Sequence, residues 1–142
     1  MRLSPHFTLD ELTHSETAAR LGIDNTPPPD VVDTLRRTAA YLEDVRARLG
    51  VPLIVSSGYR CLLLNRALKS RDDSQHLKGE AVDFIAPAFG KPRQIVDALQ
   101  DSEVAYDQLL LEFDRWVHIS FSARNRRQAM VIDNAGTRPL TA

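Results

Sequence analysis

Three residues in the second half of the chain have metal-binding side chains in suggestive surroundings. The stretch Ser74 to Phe84 separates His76 from Asp83 by six residues. Asp83 lies inside the apolar run Ala81-Val82-Asp83-Phe84-Ile85, where an unpartnered carboxylate is costly. Farther on, Trp116-Val117-His118-Ile119-Ser120-Phe121 reads as a strand. Strand side chains alternate, so Val117, Ile119 and Phe121 make a core face while Trp116, His118 and Ser120 make the other. The same alternation puts Ala81, Asp83 and Ile85 on one face. Two strands then project one ligand each, and a polar loop supplies His76. Two imidazoles and one carboxylate form a catalytic zinc set that leaves a coordination position open for water. On the residues alone the plainer reading stays open. A strand histidine is usually packed or hydrogen-bonded, and the His-x6-Asp spacing is by itself a weak signal.

The surrounding pattern supplies elements to hold these residues. Thr8 and Glu11 form a capping box, so a short helix follows. Asn25-Thr26-Pro27-Pro28-Pro29 is a stiff connection, and Pro29 suits the first turn of a long helix. Val31, Leu35, Ala39, Leu42, Val45 and Leu49 recur at three and four, giving that helix one apolar face, and Gly50 and Pro52 end it. Leu53 to Val55 reads as a short buried strand. Residues 60–69 read as a helix with Leu63, Leu64 and Ala67 inward, and 70–78 as a loop. Strands are expected over 80–85, 107–112 and 116–121, a helix over 92–99, and a further short strand over 129–132. The tail after Asp133 is expected to be loosely held. Helices early and mostly antiparallel strands later indicate an α+β fold.

Composition narrows the classes. The chain has 142 residues, 26% of them charged and 43% hydrophobic, with a net charge of −1. One core-bearing domain over 1–142 is expected, a monomer, with no global field drawing it to nucleic acid. The single cysteine, Cys61, excludes an intrachain disulfide framework and is expected to be buried rather than reactive. No apolar run is long enough to span a bilayer, so no membrane insertion is expected. The first residues lack a signal-peptide core, so synthesis in the cytoplasm is expected.

Taken together, Ser74-x-His76-x6-Asp83 and Trp116-x-His118 resemble the zinc D-Ala-D-Ala metallopeptidases and the related L-alanyl-D-glutamate endopeptidases. The signalling domain of hedgehog proteins has a similar core. Ser56-Ser57-Gly58-Tyr59-Arg60 is similar to the family's Ser-Gly-Tyr-Arg segment, and Asn65 falls where that group often has Asn. Tyr106-Asp107-Gln108-Leu109 and Glu112 resemble a run common in the compact phage and prophage branch. The likeness spans nearly the whole chain, from Phe7-Thr8-Leu9-Asp10-Glu11-Leu12 onward. It implies a small, mostly antiparallel sheet with N-terminal helices packed on it. It implies zinc held by His76, Asp83 and His118, Glu112 as general base, and Arg60 on a carboxylate or carbonyl of the substrate. Ser74 and Trp116 are the further candidates for substrate contact. The implied substrate is a peptidoglycan stem peptide and the implied setting an endolysin acting on the cell wall after release. A D,D-carboxypeptidase and a non-catalytic zinc-binding virion module are the rival readings. Two departures stand out. Lys69-Ser70-Arg71-Asp72-Asp73 replaces a Gly-Gly pair, and Phe113-Asp114-Arg115 lacks the usual hairpin glycine.

Several residues are read as outside the site. His6 and His14 are surface or local packing residues, Asp114 is a turn residue and the substitute base should Glu112 fail, and Arg124, Arg126 and Arg127 form a solvated basic loop. The register makes a sharper expectation. Glu112 can share the face of His118 only if the hairpin loop has an odd number of residues. A two-residue loop would turn Glu112 into the core, where a charge is costly. A three-residue loop, 113–115, is therefore expected, pairing Glu112 with Trp116 and Leu110 with His118, with Asp114 taking positive φ.

Overall fold

The capping box closes as expected. Thr8 Oγ1 accepts from Glu11 N while Glu11 reaches back to Thr8 N, starting α1 (Leu9–Thr13). The computed structural model describes residues 1–140 and opens with a two-stranded ribbon, β1 (Arg2–Ser4) and β2 (Phe7–Thr8). A second short helix, α2 (Glu16–Leu21), leads to the proline connection. Pro29 then occupies the first turn of α3 (Pro29–Leu49), which ends on Gly50 at φ 72°. The apolar stripe of α3 is buried from Leu35 to Leu49. No helix of the described residues is long and apolar enough to cross a membrane.

The remaining strands are β3 (Ile54–Ser57), β4 (Ala81–Ile85), β5 (Gln108–Glu112), β6 (Trp116–Ser120), β7 (Gln128–Asp133) and β8 (Gly136–Pro139). They form one sheet in the order β3-β4-β6-β5-β7-β8, antiparallel except for the parallel pair β5–β7. Helix α5 (Pro92–Gln100) connects β4 to β5. Val82, Phe84, Leu109, Leu111, Val117 and Ile119 form one core with the buried faces of α3 and α5. The helices therefore cover one face of the sheet and leave the other to the polar residues. The mixed α+β architecture agrees with the expected class.

Four local expectations are corrected. The strand read over Leu53–Val55 runs from Ile54 to Ser57 and is not buried. Ile54 is 54% exposed because β3 is a sheet edge. The helix read over 60–69 is the shorter α4 (Leu62–Ala67), with Leu64 and Asn65 buried but Leu63 and Ala67 exposed. Asn65 turns inward because its amide donates to Arg71 O and its oxygen accepts from Arg60. The loop over 70–78 ends in a 3₁₀ turn, Gln75–Lys78. Through Leu140 the tail is not loose; residues 141–142 lie outside the described residues. β8 pairs with β7, the intervening turn is held by Asp133 accepting from Ala135 N, and Leu140 is buried.

The basic segment is exposed, as expected, and is also tied to the sheet. Asp107, 0% exposed, accepts from Arg126 N, Nε and Nη2, from Arg124 Nη2 and from Gln75 Nε2. Its own N–H donates to Ser120 O. Arg127 lies over the Tyr106 ring and donates to the Val104 carbonyl. One buried carboxylate thus joins the end of β6, the start of β5, the 3₁₀ turn and segment 122–127.

Two glycines are required by close approach. A Cβ on Gly58 would lie 2.3 Å from Leu12 O, and one on Gly79, at φ 75°, would press on Val31 and Leu35. Gly58→Ala is expected to lower the denaturation midpoint through backbone displacement at α1, read by chemical unfolding. Asp107→Asn is expected to cost about 2 kcal/mol at neutral pH, since a buried charge-assisted network loses its charge and one of its two acceptor oxygens. The Arg126 guanidinium, hydrogen-bonded to Asp107, holds that carboxyl well below the usual range. A depressed folded-state pKa gives stability that is complete above the unfolded value, about 3.9, and fades as pH falls below it. The stability gap between wild type and Asp107→Asn is therefore expected to hold from pH 7 to about 4 and then to narrow. A gap independent of pH down to acid unfolding would contradict this role.

Candidate metal centre

The polar face of the sheet carries the site. Asp83 pairs directly with His118 across β4–β6, and His118 with Leu110 across β6–β5. Ser57 of β3 continues the row beside Asp83 after an irregularity in the register. Glu112 pairs with Trp116, so the hairpin loop has three residues and Glu112 shares the face of His118, as the register argument requires. Phe113 departs from the expectation. Both Phe113 (φ 54°) and Asp114 (φ 55°) take the left-handed conformation. Strain at Phe113 is offset by its N–H bond to Ile132 O in β7 and by its ring lying 5.8 Å from that of Trp116.

The 3₁₀ turn delivers His76. Ser74 Oγ caps the turn by accepting from His76 N, and Gly79 ends it. Thr38 Oγ1 of α3 donates to Gly79 O, docking the turn on the helix layer. His76, Asp83 and His118 are all buried, and one donor atom from each lies within 4.8 Å of the others. Asp83 Oδ1 is 3.4 Å from His76 Nε2 and 2.9 Å from His118 Nδ1. Tetrahedral sites with bonds of roughly 2.0–2.1 Å have ligand–ligand edges of roughly 3.3 Å, so the two spacings bracket the value a metal needs.

Tautomer logic strengthens the fit. His76 Nδ1 is 2.7 Å from Gly58 O, which can only accept, so Nδ1 carries a proton. In the neutral ring, Nε2 then presents a lone pair to a carboxylate oxygen. A positive centre between them, a second ring proton or a metal cation, would satisfy both. Burial pushes the His76 pKa down, which disfavours a second proton on the ring. A metal cation meets the requirement, with the Gly58 carbonyl orienting the ligand from behind.

Asp83 is kept ionised. Burial pushes its carboxyl up, but positive charge on the neighbouring imidazoles and hydrogen bonds from them, His118 Nδ1 at 2.9 Å the nearest, outweigh burial and hold it well below the usual range. Arg60 supplies a further countercharge, with Nη2 3.3 Å from Asp83 Oδ2. The same guanidinium donates through Nε to Ser57 Oγ and through Nη1 to Asn65 Oδ1. Three of its five N–H groups are committed, leaving two. Its loop is stapled by Asn25, which donates to Thr13 O and Tyr59 O and accepts from Cys61 N. Cys61 is half-buried and its sulfur caps α4.

Glu112 stands at the edge of the cluster, its Oε1 3.9 Å from His118 Nδ1. Burial and then the Asp83 charge push its carboxyl up, toward the range where a base can both take and return a proton. Trp116 is half-buried beside it. The indole Nε1 is buried without a well-formed hydrogen bond, although it lies close enough to Glu112 to draw the carboxyl back down slightly. Asp114 is exposed in the hairpin loop, and His6 pairs with Glu43 away from the site. His14 is exposed. Three residues that hold the cluster and its neighbours in place, Asn25, Gly58 and Asp107, carry no sequence signal of that role. Asp107 lay within a recognised run, but nothing in spacing marks a carboxylate as a buried anchor.

A search of curated proteins gives no significant match. A family model, peptidase M15, matches residues 5–120, a span that begins before α1 and ends with β6 and so contains His76, Asp83, His118, Glu112 and Arg60. Beside a sheet face that gathers three side chains able to hold a metal, the match leads to one conclusion: the chain belongs to the peptidase M15 family.

Proposed function

We propose that the protein is a zinc-dependent peptidase that hydrolyses peptide bonds in peptidoglycan stem peptides. The observation that carries this reading is the placement of Glu112, on the face of His118 and beside a buried His-Asp-His cluster that fits a tetrahedral cation. Ligand chemistry supports zinc, since two imidazoles and one carboxylate with an open position are a catalytic zinc set. Bound there, zinc would supply Lewis-acid polarisation of the scissile carbonyl and acidification of water.

The residues of the chain do the rest. His76 Nε2, Asp83 Oδ1 and His118 Nδ1 are the proposed ligands, oriented by Gly58 O, Arg60 and the sheet register. Glu112 removes a proton from the attacking water and returns it to the leaving amine. The two uncommitted N–H groups of Arg60 face the developing negative charge on substrate oxygen, which a fixed guanidinium stabilises without reorganisation. Ser74 lines the cleft beside the cluster, and Trp116 borders Glu112; both are proposed to contact the peptide. The proposed setting is an endolysin-like enzyme of phage or prophage type, made in the cytoplasm and acting on the wall after release. That setting is supported by the sequence resemblance alone.

Purified protein is expected to bind about one zinc per chain and to lose turnover of wall peptides on chelation, with zinc restoring it. Glu112→Gln is expected to keep the metal and lower kcat by about 100-fold or more, because an amide cannot take the proton. His76→Ala is expected to lose both metal and turnover. Elemental analysis together with muropeptide mass spectrometry reads all three. No metal after zinc loading would sink the reading, and near-normal kcat in Glu112→Gln would move the base elsewhere.

A further inference from the structure

Beside the ligand cluster a cleft of about 540 Å³ opens between the 3₁₀ turn, β5 and segment 122–127. His118 and Leu110 lie on its inner wall, and four cations line it: Arg71, Lys78, Arg124 and Arg126. The charges there do not cancel. Arg71 is matched by Asp73 at 3.0 Å. Arg126 and Arg124, at 2.8 and 3.3 Å, share the single carboxylate of Asp107. One guanidinium neutralises that carboxylate, so the second is surplus. Lys78 makes no ion pair among the described residues. A chain with a net charge of −1 thus concentrates positive charge on one side of the metal centre.

The cationic wall is also built, not merely exposed. Arg126 gives Nε and Nη2 to the two oxygens of a wholly buried carboxylate and gives its backbone N–H as well. Three of its side-chain N–H groups remain uncommitted. A guanidinium held in this way loses little freedom on binding an anion, and its fork suits a carboxylate. Arg124 and Arg126 lie beyond the residues matched by the family model.

We propose that this cleft is a carboxylate-binding subsite, in which Arg124, Lys78 and the anchored Arg126 receive a free carboxylate of the peptide lying across the metal centre. The inference rests on the stem-peptide reading. In such peptides D-glutamate is joined through its γ-carboxyl and keeps a free α-carboxylate unless that group is amidated. Diaminopimelate at the next position offers a second source of the same chemistry. The enzyme therefore reads the amidation state of its substrate.

The test uses three synthetic peptides with the zinc-loaded chain: Ala-γ-D-Glu-Lys-D-Ala, Ala-γ-D-isoglutamine-Lys-D-Ala and Ala-γ-D-isoglutamine-diaminopimelate-D-Ala. The peptide with the recognised carboxylate is expected to show a KM about tenfold lower than the isoglutamine-lysine peptide, the scale of one charge-assisted contact. The first or the third peptide showing that advantage identifies glutamate or diaminopimelate as the source. The ratio is expected to fall toward one in Arg124→Gln/Lys78→Gln, and also at high salt, while cleavage of the isoglutamine-lysine peptide reports that the variant is folded. Equal KM for all three peptides, or a preference that survives in the double variant, overturns the subsite. Cleavage of none of them contradicts hydrolysis at the bonds these peptides contain instead. Calorimetric titration of zinc-loaded Glu112→Gln with the same peptides then decides the subsite, and equal or absent binding overturns it.

Discussion

The site depends on one buried carboxylate and what it faces. Asp83 Oδ1 looks at two imidazole nitrogens and Oδ2 at a guanidinium, in the middle of a strand with no exposed neighbour. A buried charge of this kind needs partners on its oxygens. Arg60 serves Oδ2. At Oδ1 the Gly58 carbonyl takes the only proton a neutral His76 has, which leaves His118 Nδ1 as the imidazole donor and a lone pair of His76 facing the same oxygen. The cluster is thus a defined point that a cation would fit, and much of the local structure keeps that point in place. Gly58 lets its loop touch Leu12, Asn25 staples the same loop, and Gly79 lets the turn carrying His76 lie against α3.

A second buried carboxylate works differently. Asp107 is overcompensated, with two arginines, a glutamine amide and a backbone N–H around it. It links Gln75, adjacent to His76, to β5 and β6, so the His76 turn is braced against the strand that carries His118. Asp83 is matched by the one guanidinium of Arg60 and by two imidazoles, whereas Asp107 has two arginines.

The ligand set and its faces were legible because strand alternation is strict. Once Val117 and Ile119 are core, His118 must face away from them, and parity then places Glu112. The capping box at Thr8, the stripe of α3 and the start at Pro29 were legible for similar local reasons. The positioning residues were not. Asn25, Gly58 and Asp107 act on partners far away in sequence, and no periodicity encodes such contacts. The misreadings share that cause. Leu63 and Ala67 face out because Asn65 is recruited inward by Arg60 and Arg71, and β8 is ordered because it finds β7. Phe113 at positive φ follows from its bond to Ile132 O, across from its own strand, and from its ring contact with Trp116.

The central claim is that the His-Asp-His cluster holds zinc through these atoms. Crystals of zinc-loaded protein measured at the zinc absorption edge test it directly. The account predicts one anomalous peak with bonds of roughly 2.0–2.2 Å to His76 Nε2, Asp83 Oδ1 and His118 Nδ1, and the His76–Gly58 hydrogen bond intact. A peak elsewhere, or a His76 ring flipped to bind through Nδ1 with that hydrogen bond broken, would contradict it.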